Sequence, residues 1–214
     1  EILRCLVGSE MCIRDRCMGI ITITEGDILL DGISVVKEPI VCKRKMAYVP
    51  DTPRLEEYMT GMQYLNFVCD IYQISAKERK QNIERLIHAF QMEPHISGLI
   101  SSYSHGMKQK VALIAAFSHN PKLLVLDEPF VGLDPEAFIA LKEQMKMLCR
   151  KGSSILFSSH ILDVVEKLCN IISIIKDGRL LYSGTTEELI GVEGLEEAFM
   201  ELNSNESFDP SIEK

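Results

Sequence analysis

No apolar run in this 214-residue chain approaches the ~18 residues needed to span a bilayer, so any membrane role has to pass through a partner. Positive charge is also in short supply. Lys and Arg number 23 against 31 Asp and Glu, a net charge of -8, and the pI lies near 5.2. That balance excludes an extended nucleic-acid footprint. The seven cysteines are scattered, with no C-x-x-C and no histidine at zinc-ligand spacing, and read as reduced thiols of a cytosolic protein. Sustained heptads, internal repeats and low-complexity tracts are missing too. What remains is ordinary: 46% hydrophobic and 25% charged residues, enough for a sizeable core in one domain with room for a subdomain.

The most informative stretch is 121–136. Leu123 to Leu126 run unbroken into two carboxylates, Asp127 and Glu128. A short apolar run ending in acids predicts a strand buried on both faces, its polar tip at the carboxyl edge of a parallel sheet. Open α/β sheets bind their ligands at that edge. Paired acids there suit a magnesium nucleotide, one carboxylate holding the metal and its neighbour orienting or deprotonating a water. The plainer alternative is a strand followed by an acidic helix cap. Downstream, Gly132-Leu133-Asp134-Pro135 turns the chain, with Asp134 placed as N-cap and Pro135 as first helical residue. A second buried run, Ser153 to Phe157, ends in Ser158-Ser159-His160. Upstream, Tyr103-Ser104-His105-Gly106-Met107-Lys108-Gln109-Lys110 opens a helix with Ser104 as its cap.

In this order the four motifs resemble those of the ATP-binding-cassette (ABC) nucleotide-binding domain: signature, Walker B with its catalytic glutamate, D-loop and switch histidine. The resemblance covers roughly residues 17–200 and is specific because the motifs occur together. It implies an α/β, P-loop NTPase-like core with a small antiparallel β portion and an inserted helical subdomain at about 52–102. It also implies ATP and Mg2+ as ligands. Asp127 would hold the metal through water, Glu128 would act as general base or water orienter, and His160 would contact the γ-phosphate. Ser104, His105 and Gly106 would serve the nucleotide of an opposing cassette, of the same or a different chain, which Asp134 would also contact. The further partner implied is a transmembrane permease, placing the protein on the cytoplasmic face of the cell membrane. Asp51 stands where the family usually has a metal-contacting glutamine; an aspartate keeps the oxygen but loses the N–H donor. An Asx-turn between Pro50 and Pro53 is the local alternative there. With His105 and Met107, that departure is similar to an exporter subset of the family.

Residues 1–16 show neither a period of 2 nor one of 3.6. Translated in one frame, the transposase adapter of a common sequencing-library kit yields Leu6 to Asp15, and its flanks account for parts of the Glu1, Ile2, Cys5 and Arg16 codons. The segment is therefore expected to be foreign to the protein, with 17–202 forming a single cassette that lacks its N-terminal strand and phosphate loop. No G-x-x-x-x-G-K-[ST] occurs in the chain; by family spacing it would fall at roughly residues 4–11. This chain is not expected to hydrolyse ATP, although the intact protein is. The rival is a non-hydrolysing regulatory or structural cassette.

Elsewhere the spacing predicts a hairpin about Asp31-Gly32 and a short strand halted by Pro50. Capping boxes at Thr60/Gln63 and Ser75/Glu78 announce two helices with apolar stripes. Beyond His160 come a helix near 162–168, a strand at 171–175, a turn at Asp177-Gly178, a helix capped by Thr185 and Glu188, and another at 195–202. Residues 203–214 read as a frayed polar tail. His88, His95 and His119 receive no role.

Overall fold

The structure, a computed structural model, describes residues 2–8, 11–176, 178–190 and 194–204. The apolar run ending in acids forms strand β5, Leu123–Asp127, with Leu124, Val125 and Leu126 fully buried. It pairs in parallel with β4 (Met46–Val49) on one side and β6 (Ser154–Ser158) on the other. Strands covered on both faces need continuous rather than alternating apolar residues, which these have. Beyond β6 lie β1 (Ile2–Gly8) and β7 (Ile171–Lys176), both parallel, and β8 (Arg179–Thr185) closes the sheet antiparallel in the order β4-β5-β6-β1-β7-β8. The small antiparallel portion is β2 (Leu29–Leu30) against β3 (Ile33–Ser34). Asp31 and Gly32 turn between them with φ of 50° and 77°, the two positive values that a type I′ hairpin turn requires.

Strand β1 corrects the expectation that the N-terminal strand is missing. Ile2–Gly8 fills the slot between β6 and β7, where both flanking strands offer open hydrogen-bonding edges. Such a slot accepts an apolar segment of sufficient length, and the sequence Ile2-Leu3-Arg4-Cys5-Leu6-Val7 supplies one. A central strand needs no alternation of polarity, so the lack of a period of 2 carried no information. Helix α1 (Met11–Cys17) follows.

The remaining helices are α2 (Pro39–Lys43), α3 (Gly61–Ile71), α4 (Ala76–Ala89), α5 (His105–Ser118), α6 (Pro135–Arg150), α7 (Leu162–Leu168), α8 (Thr186–Ile190) and α9 (Leu195–Ser204). Thr60 and Gln63 form the full capping box, each side chain bonded to the other's backbone N–H at 3.2 and 2.9 Å. At Ser75 the box is half made. Its hydroxyl accepts from the Glu78 N–H at 3.4 Å, but the Glu78 carboxylate takes the hydroxyl proton, not the backbone donor. Helix α5 is buried nearly all round from Val111 to Ser118 and packs on α3, α4, α6 and β4, so it is the spine to which the helical pair is fastened. Of the expected polar tail, 203 and 204 belong to α9 and the rest lies outside the described residues, as does Asp177.

His119, just past α5, lies flat on Tyr72 with ring centroids 3.6 Å apart. Its Nε2 sits 3.3 Å from the Met46 carbonyl, which also accepts from the Tyr72 hydroxyl at 3.1 Å. Burial pushes the imidazole pKa down, against a smaller upward pull from the Met46 and Ala115 carbonyls. The folded chain therefore resists protonation that the unfolded chain accepts near pH 6.5. His119 leaves stability intact above that value and erodes it as pH falls toward the depressed folded one. Urea unfolding at pH 7.5 and 5.5 should show a smaller acid loss for His119→Phe, which keeps the ring stack, than for the parent chain. Equal losses would mean that His119 does not titrate between those pH values.

Candidate functional site

The parallel register sets Asp127 of β5 opposite Ser158 of β6, so both strands deliver their polar ends to one edge. The Ser158 hydroxyl donates to Asp127 Oδ1 at 2.9 Å, and the Glu128 N–H donates to the Ser158 carbonyl at 3.2 Å. Glu128 takes a left-handed φ of 42°, a conformation that costs a non-glycine residue on the order of 1 kcal/mol or more and gathers at functional sites. Its Oε1 lies 2.9 Å from Nδ1 of His160, while Oε2 is buried with no partner. His160 itself is 72% exposed at the side chain. An outward-facing imidazole beside a carboxylate with a spare oxygen can position a water or a phosphate oxygen between them.

The loop that follows is anchored by Phe130, a buried ring whose centroid lies 4.8 Å from that of Phe138 and 6.0 Å from that of Phe157. It ends at Asp134, which caps α6 as expected, accepting from the Ala137 N–H at 2.8 Å with Pro135 in the first turn. Asp134 also meets Lys110 of α5 at 2.5 Å. That ammonium, then the Ala137 N–H, holds its carboxyl below the usual range. Ser104 caps α5 by accepting from the Met107 N–H at 3.2 Å. Gly106 faces the carbonyl of Gly132 so closely that a Cβ on it would stand 2.7 Å from that oxygen, and a Cβ on Gly132 would stand 2.9 Å from the His105 ring. The structure thus brings Asp127, Glu128 and His160 together at one point, and Ser104, His105, Gly106 and Asp134 at another.

Asp51 joins neither cluster. It is exposed at the end of β4, with Oδ1 accepting from the Thr52 N–H at 2.7 Å, which is the local turn chemistry. Tyr48 feels the charges of both Asp51 and Asp127. Burial chiefly raises the Tyr48 pKa, with Arg14 pulling it down and Asp127, Asp15 and Asp51 pushing it up. Two residues escaped the sequence reading. Ser158 reads in the sequence only as a strand end, although aligning the ends of two parallel strands puts it beside Asp127. Arg14 carries no functional sign in its segment, yet it is 5% exposed and ion-paired to Asp127. Magnesium takes near-octahedral oxygen donors. The Asp127 carboxylate is oxygen chemistry of the right kind, but Ser158 and a guanidinium already engage its Oδ1. Among the described residues no three His, Cys, Asp or Glu side chains converge. The arrangement does not accommodate the ion at Asp127.

Comparisons with known proteins bear on the family and the fold. A family model described as ABC transporter matches residues 12–131. The chain is 34% identical over 194 residues to the ABC-type transporter ATP-binding protein EcsA of Bacillus subtilis (strain 168), a span of 91% of this chain and 78% of EcsA. It is 33% identical over 167 residues to the ABC transporter ATP-binding protein NatA of the same organism, 78% of this chain and 68% of NatA. A solved structure of the ATP binding subunit of an ABC transporter matches at a TM-score of 0.90 and 32% identity, covering 94% of this chain and 88% of that one.

Two substitutions separate the jobs of Asp134. Asp134→Asn keeps the cap and loses the ion pair, which is half exposed and so contributes a few tenths of a kcal/mol. Asp134→Ala loses both and should cost about 1 kcal/mol more. Urea denaturation of the two variants reads the difference, and equal losses would assign the residue's contribution to Lys110 alone.

Proposed function

The chain belongs to the ABC transporter family, and we propose that it is the subunit that couples ATP hydrolysis to transport through a separate membrane permease. The reading treats residues 17–202 as the cassette, with its helical subdomain at about 52–102, and residues 1–16 as foreign to it. The observation that carries it is the 2.9 Å contact of Glu128 with His160 at the sheet edge, with the second Glu128 oxygen buried and free of a partner. A carboxylate held in a strained backbone conformation with one oxygen unspent is a base aimed by the fold. ATP is the nucleotide of the family. Glu128 would orient and deprotonate the attacking water, and the exposed His160 would donate to the γ-phosphate as charge develops there.

Ser104, His105 and Gly106 stand at the N-terminus of α5, where free N–H groups and the helix dipole suit an anion. They would serve a nucleotide held by a second cassette, and Asp134 would meet that partner, so the active unit is a head-to-tail pair of like or unlike chains. The permease is proposed because the relatives are named as ATP-binding proteins of ABC transporters, while no helix of the described residues is long and apolar enough to cross a membrane. A groove of about 800 Å³, lined by Pro50, Leu55, Tyr64, Ile71 and Tyr72 among others, also offers an apolar seat beside Asp51. On this reading the protein works at the cytoplasmic face of the cell membrane. The residues at 51, 105 and 107 favour an exporter.

A second reading, a cassette that binds its partners without turnover, is favoured by one specific feature: Arg14 occupies the Asp127 carboxylate in a chain with no phosphate-loop motif. One experiment decides between them. Residues 1–16 are replaced by a strand and a G-x-x-x-x-G-K-[ST] loop, and ATP hydrolysis is compared with and without Glu128→Gln. The hydrolase reading expects turnover that falls about 100-fold or more in the variant. Equal rates would leave the non-hydrolysing cassette.

A further inference from the structure

The edge that should receive a divalent cation already holds a cation of the chain's own. Arg14 projects from α1 and is 5% exposed. Its Nη1 is ion-paired with Asp127 Oδ1 and donates to the Ser158 hydroxyl at 3.1 Å, and that hydroxyl donates to the same Asp127 oxygen. The three groups close a ring of charge and hydrogen bonds across the ends of β5 and β6. We infer that Arg14, although it belongs to the segment read as foreign to the cassette, acts as the counterion of Asp127 and that, in the chain as it stands, it shuts this carboxylate to divalent metal ions.

The physical case rests on what Arg14 would lose by leaving. Its Nε is buried without a hydrogen-bond partner, and among the described contacts the guanidinium is held through Nη1. Taking Asp127 from that contact leaves a largely buried guanidinium without its counterion. A metal ion approaching Asp127 would have to expel this tethered charge or sit beside it, and like charges at one carboxylate repel strongly at low local dielectric. Asp127 is the less dependent partner: its side chain is 15% exposed against 6% for Arg14, and it keeps the Ser158 hydroxyl if Arg14 goes.

The consequence for metal binding rests on the metal role that the family resemblance implies for Asp127, whereas the ion pair does not, and the test separates them. The full chain, Arg14→Met, Asp127→Asn and the double variant are compared by thermal unfolding and by uptake of Mn2+ alone, read by electron paramagnetic resonance. Each single change should lower the unfolding midpoint by on the order of 10 °C, the Asp127→Asn loss being the larger, and the double variant should fall well short of the sum. Mn2+ uptake by the parent should be insensitive to Asp127→Asn. Arg14→Met should bind the ion at least tenfold more tightly than the parent and lose that gain in the double variant. If Arg14→Met does not fold, Arg14→Gln, neutral but able to donate to Ser158, gives the same comparison. Additive stability losses, or Mn2+ uptake by the parent equal to that of Arg14→Met, overturn the inference. Coupled losses with no gain of Mn2+ overturn the reading of Asp127 as a metal carboxylate on which it rests.

Discussion

The parallel register of β5 and β6 is the constraint on which the rest of the site depends. With Leu126 opposite Phe157 and Asp127 opposite Ser158, two buried strands end level, and everything polar at the edge follows. Ser158 reaches the Asp127 carboxylate, its carbonyl receives the Glu128 N–H, and His160 lands two residues further on against Glu128. A slip of β5 by one residue would exchange the faces of Leu124, Val125 and Leu126, all fully buried, and spoil their packing in the layers on both sides of the sheet. Packing deep in the sheet therefore helps to fix the position of charges at its rim.

Glu128 shows the converse, a local conformation that the sequence would not choose for itself. A left-handed glutamate persists only where its surroundings over-determine it. Here the Glu128 N–H is spent on β6, its carbonyl accepts from Val131, and Phe130 is locked among aromatic neighbours two residues on. Those contacts offset the strain and leave the carboxylate aimed at His160.

The parts of this architecture that were legible in the sequence are those written in local chemistry. The β5 acids, the caps at Thr60, Ser104 and Asp134, and the Asp31-Gly32 turn each depend on neighbours within a few residues, and each formed. Asp51 was legible in its alternative: an aspartate between prolines spends its carboxylate on the next N–H. Strand β1 was not legible, because a segment taken up by two waiting edges needs length and apolarity rather than a pattern. The contact of Arg14 with Asp127 was not legible either, since it joins residues far apart in the chain and becomes visible only when the Arg14 side chain reaches the ends of β5 and β6. The Tyr72–His119 stack is hidden for the same reason; a histidine at a helix end carries no local sign of an aromatic partner from another helix.

The meeting of Gly106 with Gly132 has a mechanical consequence. Because the space between the two turns would not take even one methyl group, the corner that opens α5 and the corner that precedes α6 touch through bare backbone, and Lys110 clasps Asp134 alongside. Neither turn can slide along the other without first lifting away from it. Any body pressed against this side of the molecule therefore meets both corners as one stiff ridge.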